Sequence, residues 1–245
     1  MNYKLVLQYD GTKLNGWQKQ GNTDNTIQGK LEAILEKMYG EYVEIHGSGR
    51  TDAGVHALGQ VANFHASEQF STEEIQDTLN EYLSKDIRVL DVETVDERFH
   101  ARLTASGKTY EYRIDNGKVA NVFQRKYTMR EGNPLDLTAM KNAAVYLLGT
   151  HDFKTFCANK KMKKSTVRTI TAVEIKENEG IVSIRYTGNG FLYNMVRILT
   201  GTLIEVGRGK RAPEDVKEII NAQDRGAAGF TAPAQGLFLV EVDYS

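Results

Sequence analysis

Hydrophobic and polar positions alternate strictly over residues 3–10, near the start of the sequence. A period of two places every second side chain on the same face of an extended segment, so the pattern predicts a half-buried strand. Asp10 and Gly11 follow this strand as a turn signal. A similar alternation over residues 237–244 predicts a closing strand.

Apolar residues recur at spacings of three and four in five segments, which is typical of amphipathic helices. The predicted helices cover residues 26–38, a segment that begins at Ser71, and residues 137–148, 191–203 and 212–222. Gly40 is a favourable end for the first helix. Ser71 and Glu74 have the spacing of a capping box, which fixes the start of the second.

The remaining apolar runs predict further strands and one hairpin. Strand-like segments lie at residues 42–45, 55–64, 87–95 and 109–114, and residues 167–176 and 181–186 resemble a hairpin joined by residues 177–180. Each half of the sequence thus contains strands and at least two helices.

This order of strands and helices predicts the α+β class, with two related ferredoxin-like α+β halves. The halves would be residues 1–104 and 105–245. No low-complexity linker separates them, so we expect them to share one continuous, mainly antiparallel sheet.

Composition indicates whether the protein can form disulfides and in which compartment we expect it. Its 245 residues, of which 40% are hydrophobic and 26% charged, are ordinary for a globular protein. The single cysteine, Cys157, excludes an intrachain disulfide and fits a reducing compartment. The sequence opens directly on a strand pattern and contains no apolar run of roughly 18 residues, so we expect a cytoplasmic protein with no signal peptide and no membrane contact.

Charge is segregated along the sequence, although the formal net charge is only −1. Residues 68–97 contain 10 acidic and 2 basic residues, whereas residues 141–211 contain 13 basic and 5 acidic residues. A neutral protein can in this way present a basic face to a polyanion. Ordinary solvated helix faces are the alternative explanation.

Residues 47–56 carry the strongest sign of chemistry. Three glycines in this segment permit positive φ angles and a close backbone approach of a ligand. Arg50 and Asp52 lie between them, and an arginine beside a carboxyl group lowers its pKa and keeps it ionised. An ionised, oriented carboxylate can serve as a nucleophile. Alternatively, Asp52 only forms the turn or makes a structural salt bridge.

Two further clusters could face a substrate. Tyr110 and Tyr112 would share one strand face, either as core residues or as rings presented to a flat base. Lys108 and Arg113 beside them suit a phosphate backbone. Arg197 would lie near the apolar stripe of a predicted helix, where an arginine needs a carboxylate partner.

Asp52 is the partner that we expect for Arg197. A basic run at residues 160–164 is either a solvated loop or a grip on phosphates. The sequence lacks a glycine-rich nucleotide loop and a cysteine–histidine metal spacing. We therefore expect no metal and no nucleotide cofactor.

In their order along the chain, these motifs resemble the TruA family of tRNA pseudouridine synthases, and the resemblance spans nearly the whole sequence. The matching motifs are residues 9–12, 16–18, 47–57, 99–102, 108–112, 151–153, 191–197 and 236–237. Each motif alone is weak, but their ordered conjunction is specific.

The resemblance implies an isomerase that detaches uracil from its ribose and reattaches it through C5. Asp52 would match the family nucleophile, which attacks either the base or the anomeric carbon. Tyr110 would match the tyrosine that packs on the target base. Arg197 would match the basic residue paired with the aspartate, and Arg50 the loop arginine that helps to extrude the nucleotide.

The resemblance also implies a substrate, an assembly and a place for the site. The family's substrates are uridines at positions 38, 39 and 40 of the tRNA anticodon arm. A stacked base hides its reacting atoms, so such a uridine must be extruded first. Family members form homodimers that grip one tRNA across both subunits, and their active-site cleft lies between the two halves. An RNA-binding or RNA-folding chaperone and a nucleoside hydrolase are the alternative functions.

Overall fold

The computed structural model describes residues 1–159 and 161–244. Its strands, in chain order, are β1 (Asn2–Tyr9), β2 (Ile45–Gly47), β3 (His56–His65), β4 (Ile87–Val95), β5 (Ala105–Asp115), β6 (Met129–Arg130), β7 (Gly149–Asp152), β8 (Val167–Asn178), β9 (Ile181–Gly188) and β10 (Leu237–Tyr244). Its α-helices are α1 (Ile27–Tyr39), α2 (Thr72–Tyr82), α3 (Leu137–Val145), α4 (Met195–Gly207) and α5 (Asp215–Asn221).

The chain folds as two compact units. The first unit consists of Met1–Ser106 together with β10 from Phe238 onward, and the second is Gly107–Leu237. The predicted halves were residues 1–104 and 105–245, so the units differ from them mainly in the assignment of β10. This strand belongs to the first unit because it pairs in parallel with β3.

The sheet of the first unit has the strand order β4-β1-β3-β10, and β2 pairs with β3 beside this order. β1 runs antiparallel to both of its neighbours. The predicted apolar face of β1 is buried, since Tyr3, Leu5, Leu7 and Tyr9 are at most 4% exposed. That face fixes the register, because a slip by one residue would turn it to solvent.

Side-chain and glycine caps define both helices of the first unit. Thr26 accepts a hydrogen bond from the Gly29 amide at the start of α1, and Gly40 ends the helix with a φ of 76°. Ser71 and Glu74 accept each other's backbone amides at the start of α2, which confirms the predicted capping box. α1 and α2 pack against each other.

The sheet of the second unit has the order β5-β9-β8-β7, all antiparallel, with β6 added parallel to β5. The β8–β9 hairpin is tighter than predicted, because Glu179 and Gly180 alone form the turn, with φ angles of 50° and 78°. A two-residue turn with two positive φ angles matches the twist of its strands. The predicted turn at residues 177–180 is therefore wrong by two residues. Both units combine helices with mainly antiparallel strands, which confirms the α+β class.

α4 differs from its sequence prediction in position. It runs from Met195 to Gly207 rather than over residues 191–203. The cause is Asn194, whose left-handed φ of 60° cannot continue into a helix on its N-terminal side. Phe191, the first residue of the predicted helix, therefore lies in the loop before α4. α3 and α5 are each shorter than predicted.

α4 is the most deeply buried helix of the described part of the second unit. It packs against α3, and its core side chains include Leu199, Leu203 and Ile204. No helix in residues 1–159 or 161–244 has both the length and the apolar character needed to cross a membrane.

Candidate active site

The segment that carries Arg50 and Asp52 connects β2 to β3, and we call residues 47–56 the Asp52 loop. Gly47 is the last residue of β2 and His56 is the first residue of β3. These two strands pair with each other, so both ends of the loop are anchored in one sheet. Asp52 is half-buried, whereas Arg50 is exposed.

A second segment holds the Asp52 loop through backbone hydrogen bonds. Residues 10–20, which follow β1, form this bracing segment. The Trp17 amide donates to the Thr51 carbonyl at 3.0 Å, and the Gly54 amide donates to the Leu14 carbonyl at 3.3 Å. Because these bonds lie on either side of residue 52, the backbone of the loop is held from both directions.

Two glycines of the bracing segment allow the two chains to approach this closely. A methyl group on Gly11 would lie 2.0 Å from the Val55 carbonyl oxygen. One on Gly16 would lie 2.5 Å from the Thr51 carbonyl oxygen. Both distances are far inside van der Waals contact, so any larger residue would displace the loop.

The glycines of the Asp52 loop have different roles. Gly54 has a φ of 81°, whereas Gly47 and Gly49 are not in the left-handed region. Gly47 lies against Trp17, and a methyl group there would be 2.4 Å from the indole ring. We expected this glycine to make room for a ligand. In the structure, the space beside it is occupied by the buried side chain of Trp17.

Buried polar side chains support the loop on the side of the sheet. The Tyr9 and Thr51 hydroxyl groups are 2.8 Å apart. The Gln60 amide donates to the Tyr9 hydroxyl at 3.2 Å and to the Gly49 carbonyl at 3.0 Å, and its oxygen accepts from Ser48 at 2.7 Å. Burial raises the pKa of Tyr9 to about 12, so its hydroxyl stays protonated. Sequence reasoning missed this network, although a glutamine inside an apolar strand is a usable signal.

His56 closes the loop as a packing residue. Its ring is 1% exposed and stacks on Phe238 with the ring centroids 4.6 Å apart. The Gly11 amide donates to Nδ1 of His56 at 3.0 Å. The Asp10 carboxylate lies 3.2 Å from the same nitrogen, so the ring is held by two neighbours of the bracing segment.

Tyr110 and Tyr112 lie on β5 in the second unit but have different surroundings. Tyr112 is fully buried, and its hydroxyl donates to the Pro233 carbonyl at 2.7 Å. Burial raises the pKa of Tyr112 well above its ordinary value. Tyr110 is 8% exposed and meets the Phe191 ring edge-on, with the centroids 5.2 Å apart. The core interpretation therefore fits Tyr112, and Tyr110 is the candidate for a substrate contact.

Arg197 occupies the first turn of α4, where two hydrogen bonds orient its guanidinium group. Nε donates to the Ala232 carbonyl at 2.7 Å, and Nη1 donates to the Asn194 side-chain oxygen at 2.9 Å. The Ala232 amide in turn donates to the Arg197 carbonyl at 3.0 Å. The left-handed conformation that delays the start of α4 thus also places a hydrogen-bond acceptor for this arginine.

Arg113, which we expected to suit a phosphate backbone, pairs with a buried carboxylate. Its Nε lies 2.6 Å from one oxygen of Glu111, and Nε of Arg185 lies 2.6 Å from the other. Burial alone would raise the pKa of Glu111, but the hydrogen bonds and charges of the two arginines outweigh burial and lower it. Because Glu111 lies on β5 and Arg185 on β9, the ion pair between them links the two neighbouring strands.

The four candidate residues are divided between the two units. Arg50 and Asp52 lie in the first unit, and Tyr110 and Arg197 lie in the second. The ion pair between Asp52 and Arg197 stays a prediction, and so does the cleft between the halves.

The basic run at residues 160–164 falls partly outside the described residues, because Lys160 is not among them. Lys161, Lys163 and Lys164 are exposed. Among the described residues, no group of three or more histidine, cysteine, aspartate or glutamate side chains could hold a metal ion.

Comparison with known proteins agrees with these motifs. A family model described as tRNA pseudouridine synthase matches residues 5–103 and 143–245. The chain is 49% identical to tRNA pseudouridine synthase A of Bacillus sp. (strain KSM-64). It is 48% identical to tRNA pseudouridine synthase A 2 of Bacillus anthracis and to tRNA pseudouridine synthase A 1 of Clostridium tetani (strain Massachusetts / E88). Each match spans 243 residues and covers 99% of both chains.

One solved structure, titled "Crystal Structure of a Cbf5-Nop10-Gar1 Complex", is distantly similar. It is 14% identical, the match covers 82% of this chain and 45% of that chain, and the TM-score is 0.37. That likeness is too low to bear on the fold. The family match and the full-length relatives are sufficient, and the chain belongs to the tRNA pseudouridine synthase family, whose members are isomerases.

Proposed function

We propose that this isomerase converts uridine to pseudouridine at positions 38, 39 and 40 of the tRNA anticodon arm, with Asp52 as the nucleophile. The names of its relatives support the reaction. The bracing of the Asp52 loop supports the choice of nucleophile, because hydrogen bonds and glycine contacts fix the backbone around residue 52. A carboxylate on a fixed loop can meet its target without a costly rearrangement.

The reaction replaces the bond between C1′ of the ribose and N1 of the base by a bond between C1′ and C5. The N1–C1′ bond of uridine breaks, the uracil ring turns, and a C5–C1′ bond forms. C5 loses its proton and N1 gains one, so the product is an isomer of the substrate. Asp52 attacks either the base or the anomeric carbon, and both routes pass through a covalent intermediate.

In this proposal the second unit supplies two contacts. One holds the uracil ring, and the other pairs with the negatively charged Asp52 carboxylate. Tyr110 packs on the extruded uracil, and its edge-on contact with Phe191 supports the orientation of its ring. Arg197 pairs with the Asp52 carboxylate and keeps it ionised. The hydrogen bonds from Arg197 to Ala232 and Asn194 support this role, since they fix the direction of the guanidinium group.

Arg50 has the remaining role, which is to help extrude the nucleotide and to fill its place. Its exposure on the Asp52 loop supports this assignment. Extrusion costs a few kcal/mol, and the cost falls where the target is loosely paired. A uridine in the anticodon loop is unpaired and meets that condition, whereas a uridine in the adjoining stem must also give up its base pair.

Replacing the nucleophile tests the proposal directly. Asp52→Asn and Asp52→Ala should leave the affinity for unmodified tRNA within a few fold, but should reduce pseudouridine formation below about one per cent of wild type. Mass mapping of pseudouridine in the tRNA measures the product. Asp91→Asn, at an exposed position of β4, is a matched control that should retain full activity. Turnover above that level in both Asp52 variants would exclude a nucleophilic role.

The alternative functions give different products in the same reaction mixture. A chaperone would bind tRNA but release no tritium from uridine labelled at C5. A nucleoside hydrolase would yield free uracil and abasic RNA in place of pseudouridine. The intact set of Asp52, Tyr110 and Arg197 favours the synthase.

We also propose that the protein acts in the cytoplasm as a homodimer that grips one tRNA across both subunits. The segregation of charge along the sequence supports contact with a polyanion. Sedimentation of the purified protein with and without tRNA would measure the stoichiometry. One tRNA per two chains is the expected result.

A further inference from the structure

The loop that follows β5 exposes several apolar side chains next to one another. Val119 is 81% exposed, Val122 is 59% exposed and Phe123 is 85% exposed. Single exposed apolar residues are ordinary on protein surfaces. Three within five consecutive residues, including an aromatic ring, point to a contact surface. We call residues 116–128 the Phe123 loop.

A buried carboxylate holds the first part of the Phe123 loop. Asp115, at the end of β5, is 4% exposed. Its oxygens accept hydrogen bonds from the Gly117 amide at 3.2 Å and the Asn121 amide at 2.9 Å. Arg130 pairs with the same carboxylate at 2.8 Å. The loop is therefore tied back to the sheet at two of its own amides.

Further hydrogen bonds hold the second part. The Phe123 amide donates to the Asn121 side-chain oxygen at 3.0 Å. The Gln235 side chain donates to the Arg125 carbonyl at 3.3 Å and to the Thr128 carbonyl at 3.2 Å. A loop that is already ordered loses little conformational entropy when it binds a partner.

The charge of the Phe123 loop indicates the chemistry of that partner. Lys118, Arg125 and Lys126 are exposed, and residues 116–128 contain no aspartate or glutamate. By contrast, Tyr82, which is 68% exposed on α2, lies in the acidic segment of residues 68–97. An exposed aromatic ring among cations and without carboxylates complements a single-stranded nucleic acid, whose bases stack and whose phosphates are negative.

We infer that the Phe123 loop is a tRNA contact site, in which Phe123 stacks on an unpaired base while Lys118 and Arg125 contact neighbouring phosphates. This inference rests on the proposed function, since it identifies tRNA as the nucleic acid. It adds a contact that lies outside the four candidate residues of the active site.

Truncating the ring tests the stacking contact. Phe123→Ala should weaken binding of unmodified tRNA by roughly 5-fold to 150-fold, the range expected when one base no longer stacks on the protein. Phe123→Trp should restore wild-type affinity, because it retains a stacking face. Tyr82→Ala removes a similarly exposed ring from the acidic segment and should leave the affinity unchanged. In Phe123→Ala the loss should lie in KM for tRNA, whereas Tyr82→Ala should leave both KM and turnover unchanged.

Salt dependence tests the phosphate contacts. The Lys118→Gln/Arg125→Gln double variant should reduce the slope of log K against log salt by about 0.7–0.9 for each phosphate that is no longer neutralised. An unchanged affinity in Phe123→Ala, together with an unchanged slope in the double variant, would overturn the inference. So would a change of sedimentation from dimer to monomer in Phe123→Ala with tRNA affinity unaltered, since that would assign the loop to contacts between copies of the chain.

The two proposals fail in different ways. If wild type forms pseudouridine while Phe123→Ala binds tRNA as wild type does and the double variant keeps the wild-type slope, the loop inference alone is wrong. If wild type forms no pseudouridine but its tRNA affinity depends on Phe123, the proposed function alone is wrong.

Discussion

The two units present their candidate residues by different physical means. In the first unit, the position of Asp52 depends on the backbone: the bracing segment bonds to the loop, and Gly11 and Gly16 allow the contact. In the second unit, the positions of Tyr110 and Arg197 depend on side chains, through a ring contact and hydrogen bonds to acceptors. A backbone contact tolerates almost no added volume, whereas a side-chain contact can be removed one group at a time.

The largest effect should come from adding volume where the backbones touch. Gly11→Ala would place a methyl group against the Val55 carbonyl and displace the Asp52 loop. A shift of about 1 Å at a catalytic group can lower activity by 10²-fold, so we expect a loss of at least about that size in kcat/KM. Pseudouridine formation under steady-state conditions is the measurement.

Gly21→Ala is the matched control for this substitution. It lies at an exposed site where a methyl group would meet nothing within 4 Å, and it should retain full activity. Wild-type kcat/KM in Gly11→Ala would mean that the loop adjusts without cost and that the bracing is not essential.

A double-mutant cycle tests whether the two regions are coupled. If Asp52 and Arg197 form the predicted ion pair, the effects of Asp52→Asn and Arg197→Met on the free energy of unfolding should be non-additive by about 0.5–3 kcal/mol. Urea denaturation of the four proteins measures that coupling. Arg208 pairs with Glu131 in the second unit, so Arg208→Met in a cycle with Asp52→Asn should be additive within about 0.5 kcal/mol. Additivity in both cycles would argue against the pair.

The two tyrosines of β5 separate stability from activity. Tyr112→Phe removes the hydrogen bond from the Tyr112 hydroxyl to the Pro233 carbonyl and should lower the free energy of unfolding by about 0.5–1.5 kcal/mol. Turnover at saturating tRNA should stay near wild type. Tyr110→Ala should instead weaken turnover by removing the ring that we propose packs on the base. Equal losses of activity in both variants would contradict the different roles of the two residues.

The smallest effect concerns acid stability. Because Glu111 has a lowered pKa in the folded protein, it contributes stability above its unfolded pKa of about 4.3. That contribution is lost as the pH falls through the folded pKa. The stability of Glu111→Gln should therefore depend less steeply on pH below about 4.3 than that of wild type. Thermal unfolding at several pH values measures the difference, and parallel profiles would argue against the contribution.

Local signals were sufficient to predict many elements, because their causes lie within a few residues. The alternation of β1 and the capping box at Ser71 are examples, and both are confirmed by burial and hydrogen bonds. The start of α4 was not predictable in this way. It depends on a left-handed Asn194, and asparagine is also acceptable inside a helix.

Contacts between distant segments explain the other differences. The motif at residues 47–56 revealed the candidate residues, but the purpose of Gly47 became clear only from Trp17. Likewise, no local pattern indicates that Gln60 bonds to Tyr9, since a polar residue in a strand has many potential partners. Sequence motifs therefore identified the candidate residues, whereas the supports of the loop could be found only from the fold.

The position of β10 has a consequence for the order in which the protein matures during translation. The ribosome synthesises the whole second unit before this strand, although β10 completes the sheet of the first. Until then β3 lacks its parallel neighbour, and His56 lacks the ring of Phe238 that covers it. The unit synthesised first is thus finished last, and a ribosome that stalls ahead of residue 237 would leave the Asp52 loop on an incomplete scaffold.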